Sequence, residues 1–241
     1  MNMSIMQISL YIIAFITPVI VISGLQHFKH DRFFAFNFLA VALISLEVFK
    51  FFYNASIFPM GETPAEYMPL TIVTVTAVMA LFGAFIKRNS KLGAYIRNII
   101  LLTAFVPMTL VLFNDAPWYR SVDTLGYLFG YYGGVQIGMI GAIYFVQCGL
   151  ILAYAFYVFM ERKQTNILKL CLAVAFVSLI MGATILTNYL WSSSFVFTSN
   201  AHENILVVVI SFLAIVITWC MCVLKCRAKG SSAKDGDMDV L

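Results

Sequence analysis

The sequence predicts an all-α membrane protein, a polytopic bundle of about seven transmembrane helices, and three observations carry that prediction. Hydrophobic residues make up 62% of the 241-residue chain and charged residues 11%, against about 25% charged in soluble domains. The mean hydropathy is +0.92. The apolar residues form continuous runs rather than the alternating pattern of membrane β-strands. Finally, the basic residues gather in every second connection between runs, as in helical membrane proteins.

Seven apolar runs approach the ~20 residues that a helix needs to cross a ~30 Å hydrocarbon core. They are residues 5–24, 33–53, 68–86, 96–113, 137–160, 167–190 and 204–224. The first run lacks a basic segment before it and a small-residue cleavage site after it, so it is interpreted as a span rather than a signal peptide. Residues 1–227 are predicted to form one membrane domain.

The distribution of Lys and Arg predicts the orientation of the chain. Basic residues cluster after the first, third, fifth and seventh runs: Lys29, Arg32, Lys87, Arg88, Lys91, Arg97, Arg162, Lys163, Lys169, Lys225, Arg227, Lys229 and Lys234. The positive-inside rule therefore predicts an outside N-terminus and a cytoplasmic C-terminus. The basic residues behind the net charge of +4 orient the chain in a lipid bilayer, which we expect to be the plasma membrane, and they predict no nucleic-acid partner. Residues 228–241 are small and charged, which predicts a disordered tail.

The second run contains the strongest chemical signal, an acid and a base near its end. Glu47 and Lys50 lie about 9 Å and about 5 Å from the predicted outer end at residue 53, at 1.5 Å per residue. Thr71 and Thr74 in the third run lie at about 5 Å and about 9 Å from the same side. Ionisable residues inside a membrane are costly and mark functional sites or structural pairs. These four residues are predicted to share a depth.

Further polar residues extend this candidate site. Asn188 and Tyr189 close the sixth run at its outer end, and Gln147 and Cys148 lie at middle depth in the fifth. We expect a cavity open to the outside that binds or carries a small polar or amphipathic molecule. Its predicted ligand-binding residues are Glu47, Lys50, Thr71, Thr74, Gln147, Cys148, Asn188 and Tyr189.

A purely structural interpretation stays open for each of these residues. Glu47 and Lys50 are three residues apart, so they share a helix face and can neutralise each other while Lys50 extends to the interface. Thr71 and Thr74 can return hydrogen bonds to backbone carbonyls one turn earlier. Asn188 can bond a neighbouring helix.

Cysteines, histidines and glycines predict little chemistry. The five cysteines lie within runs or on the cytoplasmic side, so no external disulfide is expected. His27, His30 and Asp31 offer too few ligands in one short connection, so no metal site and no cofactor are predicted. Glycines that recur every fourth residue favour close helix packing, or a flexible gate: Gly126, Gly130, Gly134 and Gly138.

Three short motifs resemble one family. An acid and a lysine close the second run and Tyr67-Met68-Pro69-Leu70 opens the third; the fifth contains YFVQCGL, residues 144–150; and the sixth ends with Thr187-Asn188-Tyr189-Leu190. Together they resemble the YwaF-type conserved integral membrane proteins, relatives of transmembrane protein 164. The similarity covers residues 25–213.

The resemblance implies an alternative activity. The eukaryotic branch of that family is associated with acyl transfer to lipids through a cysteine four residues after the proline, with a histidine two residues after it. Here those positions hold Val73 and Thr71, and valine cannot act as a nucleophile. A membrane-embedded acyltransferase or hydrolase would need Thr71 as nucleophile and Glu47 as base. The sequence favours the binder or carrier over this enzyme.

Overall fold

The computed structural model describes residues 5–27, 32–57, 72–86, 90–112, 137–160, 167–191 and 205–235. Within these ranges the regular structure is α-helical and no strand occurs, which confirms the predicted fold class. The helices are α1 (Ile5–His27), α2 (Arg32–Ile57), α3 (Ile72–Phe85), α4 (Lys91–Thr103), α5 (Val106–Leu112), α6 (Ile137–Met160), α7 (Ile167–Trp191) and α8 (Ile205–Asp235).

Among the described residues, four stretches are long and apolar enough to cross a membrane: Phe34–Tyr53, Lys91–Thr109, Ala142–Met160 and Val208–Cys226. Shorter apolar runs lie in three other helices: Tyr11–Gln26, Ile72–Phe85 and Ile167–Ile180. The chain is therefore a helical membrane protein. Each predicted span falls on one of these helices, or on the α4–α5 pair.

Helix α6 lies at the centre of the bundle. Within its apolar stretch 72% of the residues are buried, against 22% in the corresponding stretch of α8. Helices α1, α2 and α4 all pack on α6, so its side chains contact several neighbours at once. A helix that is apolar on every face, as α6 is, needs such a central position in the bundle or contact with lipid.

The fourth predicted span is broken rather than continuous. Helix α4 ends at Thr103 and α5 begins at Val106. Pro107 explains the break, because proline has no backbone N–H and its ring clashes with the carbonyl four residues earlier, here that of Thr103. The hydroxyl of Tyr144 on α6 donates a hydrogen bond to the carbonyl oxygen of Pro107 at 3.2 Å, which ties the broken segment to the central helix.

Helix α4 begins at Lys91, five residues before the predicted start. Ser90 caps it, since the Ser90 hydroxyl accepts a hydrogen bond from the Gly93 N–H at 2.9 Å. The earlier start places Arg97 inside the helix and not in the connection before it, so the interpretation of Arg97 as a connection residue is wrong. Only 2% of its surface is exposed.

Helix α8 continues to Asp235. The backbone of residues 228–235 is therefore helical where the sequence predicts a disordered tail, and residues 236–241 lie outside the described ranges. Helix elongation adds one hydrogen bond for each residue fixed, so an existing helix extends past its apolar stretch more readily than a new helix nucleates.

The predicted orientation gives a direct topology test. Reporter domains fused after Arg88, Arg162 and Lys229 should be cytoplasmic, and those inserted near Glu62 and His202 should be external, because the Lys and Arg bias is one-sided. Activity of paired alkaline phosphatase and fluorescent-protein fusions measures this. A cytoplasmic signal near Glu62 would reverse the predicted orientation.

Candidate functional site

Three buried polar side chains meet where α2 packs on α6. Lys50 Nζ donates a hydrogen bond to Glu47 Oε1 at 2.8 Å, and Gln147 Nε2 donates to the same oxygen at 2.9 Å. The exposed fractions are 5% for Glu47, 3% for Lys50 and 0% for Gln147. We call Glu47, Lys50 and Gln147 the polar triad. It brings together three of the residues that the sequence predicts for the site.

The polar triad lies near the middle of both helices. Glu47 is ten residues before the end of α2 at Ile57, and Gln147 is ten residues after the start of α6 at Ile137. At 1.5 Å per residue each lies about 15 Å from that helix end. The sequence places Glu47 closer to the outer end because it predicts that the span ends at residue 53. The sequence predicts that Gln147 lies at middle depth, and in the structure Glu47 lies at the same depth as Gln147.

Lys50 does not extend to the membrane surface. Its side chain is buried, and its ammonium group turns back to the carboxylate three residues earlier. The predicted structural pairing of Glu47 and Lys50 is thus present, while snorkelling of Lys50 is not observed. Pairing offsets the cost of placing two charges in a medium of low dielectric constant.

Two acceptor atoms of the polar triad remain unsatisfied within the described part of the chain. Glu47 Oε2 and Gln147 Oε1 are both buried and have no hydrogen-bond partner there. Leaving a buried polar atom without a partner costs about 1–3 kcal/mol, and more for a charged group. Both atoms are oxygens that accept hydrogen bonds, so the group that completes the site must donate them.

The remaining predicted residues divide into two groups. Cys148 is fully buried in the apolar core of α6, beside Gln147, and Thr74 is half-buried on α3. Outside the described residues and side chains lie Thr71, Asn188 and Tyr189, together with the predicted glycine repeat at residues 126, 130 and 134. The segments on the predicted outer side, residues 58–71 and 113–136, also lie outside.

Thr76 on α3 illustrates the structural interpretation of a membrane threonine. Its hydroxyl donates to the carbonyl of Ile72, one turn earlier, at 2.7 Å. Val73, at the position of the family cysteine, is fully buried in the apolar core. This part of α3 therefore serves packing.

Sequence reasoning missed Arg97 as a buried polar residue. The guanidinium carbon of Arg97 lies 5.8 Å from the ring centroid of Phe36 on α2, a cation–π distance. Tyr154 on α6 packs on the same ring, with centroids 5.0 Å apart. The signal was available, because Ser90 before a helical pattern marks a helix start and puts Arg97 two turns inside.

A separate cavity of about 560 Å³ lies between α1, α4, α6 and α8. Its described walls are almost entirely apolar, and Glu47, Lys50, Gln147 and Cys148 are not among them. This apolar cavity is therefore not the polar cavity that the sequence predicts.

Fold and site together define a helical membrane protein with a buried polar cluster at its centre. No protein-family model, curated protein or solved structure matches the chain.

Proposed function

We propose that this multi-pass membrane protein binds or carries a small polar or amphipathic molecule at the polar triad. The observation that best supports this proposal is a pair of buried hydrogen-bond acceptors, Glu47 Oε2 and Gln147 Oε1. They lie beside an ion pair inside the membrane domain. A membrane protein that needed only helix packing could use apolar residues at these positions at lower cost. Intramembrane ionisable residues are typical of ligand and ion pathways.

The charge balance of the polar triad favours a neutral ligand. Glu47 and Lys50 neutralise each other, so a cationic ligand would leave a net positive charge in the membrane interior, at a cost of about 2.5–3.5 kcal/mol. A neutral hydroxyl or amide group donates hydrogen bonds without that cost. The proposed ligand is therefore a neutral molecule with at least one donor, and an apolar part suits the surrounding core.

The proposal includes a setting in the plasma membrane with the N-terminus outside, supported by the basic-residue pattern, and a relationship to the YwaF-type proteins, supported by the three motifs. The enzyme alternative has less support. Val73 cannot act as a nucleophile, and the Glu47 carboxylate, which would serve as the base, already accepts hydrogen bonds from Lys50 and Gln147.

Ligands of matched size test the proposal. The purified protein in detergent is melted with 1-decanol, decyl methyl ether or decylamine, which differ in their hydrogen-bond donors and charge. We expect 1-decanol to raise the melting temperature and the ether to have little effect, because the ether has no donor. At a hundred times its Kd a ligand stabilises the folded state by about 2.7 kcal/mol, which is a measurable shift.

Gln147→Met removes one of the two acceptors and should abolish the stabilisation by 1-decanol. Thr103→Val is the matched control, because Thr103 is buried and, within the described part of the chain, its hydroxyl donates to the carbonyl of Ile99 in its own helix. That variant should keep the 1-decanol effect. Equal shifts for alcohol and ether, or an undiminished shift in Gln147→Met, would contradict the proposal and leave buried water as the occupant.

A further inference from the structure

The polar triad offers hydrogen-bond donors as well as acceptors to a ligand. An ammonium group has three N–H donors, and among the described residues the Lys50 ammonium bonds one acceptor, Glu47 Oε1. The amide nitrogen of Gln147 has two N–H donors, of which one is directed to the same Glu47 oxygen. Together with the free acceptors Glu47 Oε2 and Gln147 Oε1, these N–H groups call for a partner that both donates and accepts hydrogen bonds.

A hydroxyl group has this combination. It carries one O–H donor and two acceptor lone pairs, so it can donate to one of the two free oxygens and accept from Lys50. An ether only accepts and an ammonium only donates, so neither satisfies both kinds of group. A single hydroxyl has only one donor, however, and it leaves one of the two buried oxygens without a hydrogen bond, which is costly.

The two free oxygens lie close together. The Gln147 amide donates to Glu47 Oε1 at 2.9 Å, so the carboxylate and the amide are directly joined by a hydrogen bond. Each free oxygen is bonded to the same carbon as one of the two atoms that this hydrogen bond joins. One small head group with two neighbouring donors can therefore reach both oxygens, and two hydroxyls on adjacent carbons are such a head group.

The residues next to the polar triad on both helices are apolar. Leu43 lies one turn before Glu47 on α2, and Ile151 lies one turn after Gln147 on α6. Both side chains are fully buried, and residues four apart share a helix face. A ligand at the polar triad therefore has an apolar remainder. A second hydroxyl far from the head group would lie among apolar side chains without a hydrogen bond.

From these donors and acceptors we infer that the polar triad binds a 1,2-diol carried on an apolar chain. This ligand class rests on the proposed function and narrows it from at least one donor to two adjacent donors. The two hydroxyls donate to Glu47 Oε2 and Gln147 Oε1, and a hydroxyl oxygen accepts from Lys50. The ligand is neutral, so it leaves the charge balance of Glu47 and Lys50 unchanged.

Three probes with the same ten-carbon chain test the ligand class: 1-decanol, decane-1,2-diol and decane-1,10-diol. The melting temperature of the purified protein is measured against the mole fraction of each probe in the detergent micelles. We expect decane-1,2-diol to reach half of its maximal effect at a roughly tenfold lower mole fraction than 1-decanol, because its second hydroxyl adds a hydrogen bond. Decane-1,10-diol should bind no more tightly than 1-decanol, because its hydroxyls are too far apart to reach both oxygens.

The outcomes separate the ligand class from the proposed function. If 1-decanol stabilises the protein and decane-1,2-diol binds no more tightly, the diol class is overturned while the proposed function stands. An equal gain for decane-1,10-diol would overturn the diol class in the same way, because adjacent hydroxyls would then have no advantage. If none of the three probes raises the melting temperature, both the diol class and the proposed function are overturned.

A variant of the polar triad gives a second test. Gln147→Met removes one of the two free oxygens, so decane-1,2-diol should lose its advantage over 1-decanol. Thr103→Val, whose hydroxyl is bonded within its own helix, should keep that advantage. An undiminished preference for decane-1,2-diol in Gln147→Met would overturn the diol class. The order of the three probes on the unchanged protein decides the question even if Gln147→Met does not fold.

Discussion

Replacing Gly149 by alanine should lower the free energy of unfolding by about 1–3 kcal/mol, and Gly149→Leu should leave little folded protein. A Cβ atom at position 149 would lie 2.6 Å from the Cβ of Thr17 and 2.8 Å from the backbone carbonyl oxygen of Ala14. Both distances are shorter than real Cβ contacts, so α1 or α6 would have to move.

Thr17 cannot relieve this contact at low cost. Rotation of its side chain leaves the Cβ atom in place, and it would break the hydrogen bond that the Thr17 hydroxyl donates to the carbonyl of Ile13 at 2.7 Å. The carbonyl of Ala14 is available at the contact because Pro18, four residues later, has no N–H to bond it. Gly149 thus allows α6 to approach a backbone carbonyl of α1 that the N–H of residue 18 cannot bond.

Loss of this contact should release α1, which packs chiefly on α6. Thermal unfolding in detergent, followed by circular dichroism, measures the effect. Gly24→Ala on α1 and Gly182→Ala on α7 are matched controls, because an added Cβ at either position meets no atom within 4 Å. These controls should be neutral or stabilised by up to about 1 kcal/mol through helix propensity. If Gly149→Ala melts like the controls, the close-packing role of Gly149 is refuted.

Hydrophobic runs predict the helices of this protein well, because helix formation in a membrane depends on local composition. The pattern does not reveal which helices touch. Gly149 is one glycine among fourteen in the sequence, and its importance depends on the pairing of α6 with α1. The break at Pro107 and the cap at Ser90 are local signals, so the bounds of the fourth span can be predicted from the sequence alone.

In the candidate site, too, the sequence predicts the local contacts but not the contacts between helices. Glu47 and Lys50 could be paired from their spacing alone, since neighbours three apart share a helix face. The hydrogen bond from Gln147 to Glu47 joins residues 100 positions apart. The depths estimated from the sequence did not predict this bond, because α2 continues past its predicted end. Long-range contacts of this kind depend on the arrangement of the helices, which the sequence pattern leaves open.

Glu47→Gln should cost about 3–5 kcal/mol of stability, because it leaves the buried Lys50 without its counter-ion. Lys50→Met should have a similar cost, since the carboxylate of Glu47 would keep only the amide of Gln147 as a recorded partner. The double change removes both charges, and it should recover most of the loss because neither charge is left uncompensated.

Thermal unfolding of the two single variants and the double variant measures this coupling. The control cycle pairs Glu47→Gln with Lys225→Met, because Lys225 on α8 bonds the carbonyl of Phe159 near the end of α6 and is no part of the polar triad. Effects at distant, independent sites add, so this control double should show the sum of its single effects. Additive losses in the Glu47 and Lys50 cycle as well would contradict the coupling.

The same double variant distinguishes a structural pair from a binding site. If Glu47 and Lys50 only neutralise each other, the double variant should regain both its stability and its stabilisation by 1-decanol. The proposed function predicts a different result: stability returns, but the alcohol effect does not, because the Glu47 carboxylate, the stronger of the two free acceptors, is gone. A double variant that melts like the original protein and still responds to 1-decanol would assign the polar triad to structure alone.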